Sequence, residues 1–206
     1  MKDAFIQGED IHARTAAEIN GVPQDKVTPD MRRNAKAINF GIAYGMTKYG
    51  LSKSLNIPVI EADNYIRRYF TRYPGIQKYI AETKEQLVKN CYVENIFGRR
   101  RYFPNVTRLK RQDRERFERE AINTPIQGTA ADLIKIAMNE IFVEIKKQAL
   151  KSRMIIQVHD ELVFEVANDE LDGFRKLVTE KMEKAYDFSL PIKVDVGTGK
   201  NWAEAH

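Results

Sequence analysis

The sequence of 206 residues predicts an α+β fold, with helices filling its first half and helices mixed with strands in its second. Up to about residue 90, segments with helical periodicity are separated by proline and glycine, which end helices. Beyond residue 90, short apolar segments typical of strands alternate with long helical ones. This change of pattern places a boundary near residue 115 and predicts two units, 1–115 and 116–206.

Local signals predict the individual elements. Thr28, Pro29 and Asp30 form a strong helix start, with Thr28 as the N-cap of a helix at about 29–44. Gly98 separates two strand-like segments, 92–97 and 101–103, and indicates a small hairpin. The other predicted helices are 9–19, 49–55, 59–72, 75–90, one from about 113 that breaks near Pro125, 129–150 and 169–186. The other predicted strands are 154–158 and 162–166, in a hairpin at about 153–166, and a last strand at 192–196.

The composition is that of an ordinary globular protein, with 43% apolar and 31% charged residues. No apolar segment approaches the roughly 20 residues that a membrane helix needs, so no membrane partner is expected. The N-terminal residues lack the apolar core of a secretory signal. The single cysteine, Cys91, excludes an internal disulfide and suits a reducing compartment. We therefore expect a cytoplasmic protein.

Basic residues are concentrated between Arg99 and Arg119, which we call the basic stripe. Nine basic and three acidic residues lie there, a net charge of +6, whereas the whole chain carries +5. A basic stripe on a near-neutral body is typical of a protein that binds the phosphate backbone of nucleic acid. The alternative is a solvated helix face on which the charges form ion pairs with each other.

Within the helix at about 29–44, four residues recur at intervals of four: Arg32, Lys36, Phe40 and Tyr44. This spacing places them on one slowly winding face, about 18 Å long. Two cations followed by two aromatic rings match a Mg-triphosphate with its sugar and base. The alternative is an amphipathic helix with exposed cations and buried rings. Gly41 and Gly45 favour the nucleotide interpretation, because glycine destabilises a helix and leaves room for a flat ring.

A second candidate site lies between the two apolar segments at 154–158 and 162–166. His159, Asp160 and Glu161 stand at their junction, and Mg²⁺ typically takes one or two protein carboxylates together with substrate phosphates. The alternative is an ordinary surface turn, in which aspartate is common. Successive side chains of a strand point to opposite faces, so Asp160 and Glu161 need not reach the same ion.

The segment from Arg32 to Gly45 resembles motif B of the family A DNA polymerases, the fingers helix that closes over the incoming dNTP. The resemblance implies that Arg32 and Lys36 bind the phosphates, and that Lys36 also acts as a general acid towards pyrophosphate. It places Phe40 on the sugar and Tyr44 near the sugar and the templating position. His12 matches a family histidine that also contacts the phosphates.

Two further segments carry the same resemblance. The sequence around His159, Asp160 and Glu161 is similar to motif C, which makes both carboxylates metal ligands with catalytic roles and His159 a contact to the primer terminus. The segment 119–132 resembles a third family segment. In it, Arg119, Asn123 and Gln127 contact the primer-template, where minor-groove readout is largely independent of sequence.

The resemblance implies a C-terminal piece of a bacterial family member. It comprises a helical fingers subdomain followed by part of an antiparallel-sheet palm with packed helices. The parent activity is the addition of dNTPs to a primer 3′-OH with two Mg²⁺ ions, in DNA replication and repair. The family's motif A strand, of the form Asp-Tyr-Ser-Gln-Ile-Glu, has no equivalent here. We therefore expect the isolated chain to be inactive, and to self-associate through exposed palm edges.

Three other interpretations stay open at this point. The basic stripe alone is compatible with a non-catalytic module that binds duplex DNA. A purely structural helical domain would make the motifs coincidental. A single-subunit RNA polymerase is the nearest rival, but the pairing of Phe40 with Tyr44 resembles the branch that makes DNA.

Overall fold

The computed structural model describes residues 2–205 and divides into two compact units, Met1–Gln127 and Gly128–His206. The first unit is helical apart from one small hairpin, and the second combines helices with another hairpin. An α+β fold is therefore confirmed. The predicted boundary near residue 115 lies inside the first unit and stays a prediction about the subdomains.

In residues 2–205, six helices and a hairpin precede the longest helix. The helices are α1 (Lys2–Gln7), α2 (Ile11–Asn20), α3 (Pro29–Ala43), α4 (Lys48–Leu55), α5 (Val59–Arg72) and α6 (Pro74–Asn90). Strands β1 (Tyr92–Glu94) and β2 (Arg100–Tyr102) pair antiparallel. Helix α7 (Arg111–Lys147) follows, and short 3-10 turns lie at Gln24–Lys26 and Val106–Arg108.

The helix starts follow the capping signals in the sequence. The Thr28 side chain accepts a hydrogen bond from the Met31 N–H at 3.2 Å, and Pro29 occupies the first turn of α3. Asp10 caps α2 in the same way by accepting from the N–H groups of His12 and Ala13. These caps fix where α2 and α3 begin, and therefore which of their side chains share a face.

The first unit has an apolar core between α2, α3, α4 and α5. Ile38 and Ile42 of α3 lie in it beside Leu51 of α4 and Tyr69 of α5, all of them buried. Tyr69 also packs edge-on against Tyr73, with ring centroids 5.0 Å apart. This packing holds one face of α3 against the unit and leaves the opposite face exposed.

Helix α7 continues through Pro125, so the predicted break there is wrong. Proline lacks the N–H that would bond the carbonyl four residues earlier, and this usually ends or kinks a helix. Two side-chain hydrogen bonds support the neighbouring carbonyls: Tyr79 Oη donates to Ile122 O and Thr124 Oγ1 donates to Glu120 O, both at 2.7 Å. These hydrogen bonds lie on either side of the Ala121 carbonyl, which lacks its usual helical partner at Pro125, and the helix continues past it.

The second unit contains the end of α7, strands β3 (Arg153–Val158) and β4 (Glu161–Glu165), and helices α8 (Leu171–Glu183) and α9 (Trp202–Ala205). The strands pair antiparallel with an irregularity between Met154 and Ile156. Ile141 of α7 and Phe174 of α8 are buried together against this hairpin, and the rings of Phe164 and Phe174 meet edge-on at 5.2 Å.

The predicted last strand at 192–196 does not form within the described residues, so this prediction is wrong. A strand needs a neighbouring backbone to complete its hydrogen bonds. Here the Val194 N–H instead donates to the Glu183 carboxylate at 3.2 Å. In the part of the chain that the structure describes, every helix is too short or too polar to cross a membrane.

Glu18 connects α2 to the segment between α5 and α6. Its carboxylate accepts hydrogen bonds from Arg14 at 3.2 Å, from Arg72 at 2.8 Å and from the Tyr73 hydroxyl. Burial tends to raise the pKa of Glu18, but these hydrogen bonds outweigh it and hold the pKa below its usual value near 4.5. The ionised carboxylate therefore stabilises the fold at pH values above the usual pKa near 4.5. This stabilisation is lost as the pH falls through the lowered pKa of the folded protein.

We expect Glu18→Gln to remove roughly 2 kcal/mol of unfolding free energy at about pH 7 and much less at about pH 3. Urea unfolding at the two pH values measures this difference. Glu85→Gln, an exposed change on α6, is the control and should leave the pH dependence unchanged. An equal loss of unfolding free energy from Glu18→Gln at both pH values would contradict the inference that Glu18 is ionised in the folded protein.

Candidate nucleotide and metal sites

One face of α3 carries all four residues that the sequence places at intervals of four. Arg32, Lys36, Phe40 and Tyr44 are exposed, and we call them the α3 face. The residues on the opposite side of the helix, Ala35, Ile38 and Ile42, are buried in the core. The alternative of buried rings is wrong, because Phe40 is 47% and Tyr44 41% exposed. An exposed pair of large aromatic side chains is available to a ligand.

The two aromatic rings of the α3 face lie next to each other, and the ring of His12 lies beside them. Phe40 and Tyr44 are nearly parallel, with an interplanar angle of 15° and centroids 6.4 Å apart. His12 of α2 lies on the other side of Phe40, at 5.6 Å and tilted by 46°. Parallel aromatic faces of this kind can stack with a base or pack against a sugar.

The cationic end of the α3 face lies beside the N-terminus of α2. Arg32 Nε donates to Asp10 Oδ2 at 2.6 Å, and both side chains are partly exposed. An exposed ion pair contributes little and can rearrange, so it leaves the guanidinium able to bind an anion. Burial tends to raise the pKa of Asp10, but hydrogen bonds from Ala13, Arg32 and His12 hold it below its usual value.

The surroundings of the His12 ring favour its neutral form. Burial lowers the pKa of its imidazole, and the positive charges of Arg32 and Lys36 lower it further, against the opposing effect of Asp10. The neutral ring, which can accept one hydrogen bond and donate one, is therefore favoured over the charged one. The positive charges of Arg32 and Lys36 are therefore close enough to His12 to influence its protonation.

The two glycines of motif B have roles other than the one expected from the sequence. A Cβ atom on Gly41 would lie 2.9 Å from Met46 Sδ, so its space is filled by the chain that follows α3. Gly45 lies beyond the helix with φ +71°, which glycine adopts readily. A Cβ there would lie 3.1 Å from Ile122 Cδ1 and 3.4 Å from Arg119 Cγ. The glycines permit close packing of the protein, so they do not support the nucleotide interpretation.

The same contact places a residue predicted to bind DNA, Arg119, next to the end of α3. Arg119 lies beside Gly45 at the end of α3, and Asn123 and Gln127 follow it at intervals of four on the continuous helix α7. This spacing keeps the three side chains on one face. Asn123 Oδ1 is buried without a hydrogen-bond partner in the described residues, which is rare unless a group outside the chain supplies one.

The second unit presents its carboxylates at the tip of a hairpin. His159 and Asp160 form a two-residue turn between β3 and β4, and both are exposed. His159 has φ 54°, an uncommon conformation for a residue with a side chain. Glu161 is the first residue of β4 and lies opposite Val158. The turn therefore carries Asp160, whereas Glu161 belongs to the strand.

Asp160 and Glu161 fit a partial magnesium site. Within residues 2–205, no cluster of three or more metal-ligating side chains forms. Mg²⁺ keeps several waters and often takes only one or two carboxylates plus substrate phosphates, and an exposed turn leaves room for both. The apolar strand before the turn is only partly buried, because Ile155 and Ile156 of β3 are exposed.

The basic stripe is partly neutralised by ion pairs within the first unit. On α7, Arg111 pairs with Glu115, Arg114 with Glu118 and Arg116 with Glu120, at distances of 2.9 to 3.3 Å. In the hairpin, Arg100 pairs with Glu94 and Arg101 with Glu120. This arrangement favours the solvated, ion-paired helix face over a dedicated duplex-binding surface.

Sequence reasoning missed a buried polar chain behind His12. It consists of Asn39, Thr15, Tyr73 and Glu18. Its one visible signal was Asn39, a polar residue beside Ile38 on the core side of α3. A polar residue at an apolar position indicates a specific hydrogen-bond partner, because an unpaired buried amide is destabilising.

The chain belongs to DNA polymerase family A, whose model matches residues 1–204. It is similar to DNA polymerase I of Bacillus caldotenax, at 43% identity over 205 residues, and to the thermostable DNA polymerase I of Thermus filiformis, at 46% over 205 residues. It aligns over 100% of its own length with both, but spans only 23% and 24% of theirs.

A solved structure is similar throughout the chain. It is the POL domain of Pol1 from M. smegmatis, in complex with DNA primer-template and dNTP. The TM-score is 0.93 at 44% sequence identity, covering 98% of this chain and 36% of that one. The assignment to a piece of a bacterial family A polymerase is thereby confirmed.

Proposed function

We propose that this chain supplies the nucleotide-binding helix and part of the metal site of a template-directed DNA polymerase. The reaction adds a dNTP to a primer 3′-OH and releases pyrophosphate, in DNA replication and repair. The observation that carries the proposal is the exposed α3 face, with two cations followed by two nearly parallel rings. The names of the relatives support the same activity, although the chain spans about a quarter of their length.

Each residue of the α3 face has a proposed role in binding the dNTP. Arg32 and Lys36 donate hydrogen bonds to the phosphates, and His12 adds a neutral donor beside them. Lys36 also gives a proton to the leaving pyrophosphate as the bond to phosphorus breaks. Phe40 packs against the sugar, and Tyr44 at the end of the helix lies near the sugar and the templating position.

Asp160 and Glu161 are the proposed catalytic carboxylates in this chain. They would hold Mg²⁺, with two ions in the complete active site. When bound, the metal neutralises charge at the reacting phosphate and lowers the pKa of the attacking hydroxyl. Two-metal sites usually draw carboxylates from separate strands, and the 206 residues contain no counterpart of the motif A strand. We infer that the 206-residue chain by itself does not extend primers.

The proposed partners are primer-template DNA and dNTP. The M. smegmatis protein is bound to both in its solved complex. In this chain, Arg119, Asn123 and Gln127 would contact the primer-template, and His159 the primer terminus. The unpartnered oxygen of Asn123 supports a contact from outside the chain. Self-association stays a prediction from the sequence, supported by the exposed Ile155 and Ile156 on β3.

The experiment that tests the proposal compares two neighbouring arginines on α3. Arg32→Ala is expected to weaken Mg-dNTP binding by about 10- to 100-fold, because charge-assisted hydrogen bonds to phosphate are lost. Fluorescence titration of the 206-residue chain with a labelled dNTP in Mg²⁺ measures this.

Arg33→Ala is the matched control for the same titration. Arg33 is also exposed and pairs with Asp30, but it lies off the α3 face. It should bind dNTP as the unchanged chain does. Equal binding by both variants would remove the nucleotide assignment, and would leave a DNA-binding module or a structural domain.

A further inference from the structure

A chain of hydrogen bonds runs from the partly buried carboxylate of Glu18 to the ring of His12. The Tyr73 hydroxyl donates to Glu18, and Thr15 Oγ1 lies 3.3 Å from Tyr73 Oη. Asn39 Nδ2 lies 3.2 Å from Thr15 Oγ1 and 3.1 Å from His12 Nδ1. These contacts join α2, α3 and the start of α6 behind the proposed phosphate site.

The middle of this chain is sealed from solvent. Thr15 is 1%, Tyr73 7% and Asn39 9% exposed. Buried polar groups must satisfy one another, because each unsatisfied one costs about 1–3 kcal/mol. Each hydrogen bond in this series therefore has a definite donor, and the donors can be assigned by starting from the Glu18 end.

The Glu18 end sets the direction. An ionised carboxylate only accepts, so the proton of Tyr73 is committed to Glu18. The contact between Tyr73 and Thr15 then requires the Thr15 hydroxyl to donate to the Tyr73 oxygen. With its own proton used, Thr15 Oγ1 accepts from Asn39 Nδ2. The second amide proton of Asn39 points to His12 Nδ1.

The opposite orientation of the Asn39 side-chain amide, with its nitrogen and oxygen exchanged, agrees less well with these distances. It would put the carbonyl oxygen at 3.2 Å from Thr15 Oγ1 and 3.1 Å from His12 Nδ1. Thr15 could then donate to it only by leaving its 3.3 Å contact with Tyr73 without a proton. Thr15 Oγ1 also lies 3.4 Å from Asn39 Oδ1, and in the unreversed amide this longest contact is the one without a proton. Reversal would instead leave two oxygens 3.2 Å apart without a proton between them.

We propose that Asn39 is a positioning residue that holds His12 in the tautomer with its proton on Nε2. Since Nδ1 accepts from the amide, Nε2 carries the N–H that is left for a ligand. A phosphate oxygen needs a donor, so this tautomer is the one that can bind it. The inference deepens the proposed function and rests on His12 as a phosphate contact.

The groups around His12 make the choice of tautomer matter. Arg32 and Lys36 disfavour a second proton on the ring, Asp10 favours it, and Phe40 packs against one side. With the pKa below its usual value, the neutral ring predominates near neutral pH. A neutral imidazole has one donor only, and its position decides whether the phosphate meets a proton or a lone pair.

Nitrogen NMR of the ¹⁵N-histidine-labelled chain tests the proposal directly. The chain has only three histidines, and His12→Gln assigns the signals of His12. We expect Nε2 to be protonated and Nδ1 to be free in the unchanged chain, before any ligand is added. A protonated Nδ1 in the neutral ring would overturn the proposal, and this outcome does not depend on how any variant folds.

Asn39→Asp makes the test sharper. A carboxylate cannot donate to Nδ1, so the neutral ring is expected to move its proton from Nε2 to Nδ1. Asn34→Asp adds the same charge to α3 away from the hydrogen-bond chain and should keep the Nε2 proton. Retention of the Nε2 proton in a folded Asn39→Asp variant would also overturn the proposal.

Binding of Mg-dNTP separates this inference from the proposed function. Asn39→Asp should bind about 10-fold more weakly than Asn34→Asp, as expected for a lost hydrogen bond to a charged group. If His12→Gln binds dNTP normally while the Nε2 tautomer is found, the phosphate contact of His12 fails and the positioning by Asn39 stands. Equal binding by Asn39→Asp and Asn34→Asp, with the tautomer changed, would overturn the functional part of the inference.

Discussion

Asp160→Asn is expected to reduce primer extension about 10³-fold in a chimaeric polymerase in which these 206 residues replace the matching segment of the Bacillus caldotenax enzyme. The chimaera supplies the palm strands that the 206 residues do not contain. A metal contributes several kcal/mol of transition-state stabilisation, and about 1.4 kcal/mol corresponds to a factor of ten in rate. Asparagine keeps the shape of the side chain but removes the charge that holds the ion.

Asp169→Asn is the matched control for this experiment. Asp169 is also an exposed aspartate of the second unit, but it pairs with Lys151 at 2.8 Å, away from the hairpin turn. It should leave the rate unchanged. The unmodified 206-residue chain, assayed alone, is expected to give no extension. Equal activity of the Asp160→Asn and Asp169→Asn chimaeras would contradict the role of the turn in metal binding.

Lys36→Ala in the same chimaera is expected to lower kcat by about 10²-fold or more, because both a phosphate contact and a proton donor are lost. Lys36→Arg separates the two roles, since arginine keeps the charge but does not give up its proton. We expect Lys36→Arg to retain most of the dNTP affinity and still to lose most of kcat. Single-turnover primer extension over a range of dNTP concentrations measures both quantities.

Lys53→Ala on α4 controls for the removal of an exposed lysine. It should change neither the affinity nor kcat. Full restoration of kcat by arginine at position 36 would limit Lys36 to electrostatic binding. An unchanged kcat in Lys36→Ala would remove it from the site altogether.

Much of the helical architecture could be predicted because its signals are local. Helix α5 has the predicted bounds, Val59–Arg72, between Pro58 and Tyr73, and α3 begins at its predicted cap, Thr28. The interval of four along α3 also predicted one exposed face, since a helix that begins at a known residue fixes where every later side chain points. The sequence placed a junction between two strands at His159, Asp160 and Glu161. The structure has a turn there of two residues, His159 and Asp160, and Glu161 already belongs to β4.

The predictions that were wrong concern features that depend on contacts between segments. Pro125 does not break α7, and side-chain hydrogen bonds from Tyr79 and Thr124 lie next to it. The segment 192–196 has strand-like residues but does not pair as a strand within the described chain. Whether a segment pairs, or a weakened helix is held, depends on its contacts with other segments, and a local pattern carries no information about them.

The order of most elements follows from the sequence alone, because helix caps and periodicity are properties of neighbouring residues. The family was indicated by the resemblance of three segments to its motifs, and His12, Arg119, Asn123 and Gln127 became candidates only through that resemblance. The packed structure was needed to show which of those side chains are exposed, that Gly41 and Gly45 serve packing, and that a buried chain from Glu18 to Asn39 ends at His12. Hydrogen-bond direction and burial arise between segments, so they exist only once the helices have packed.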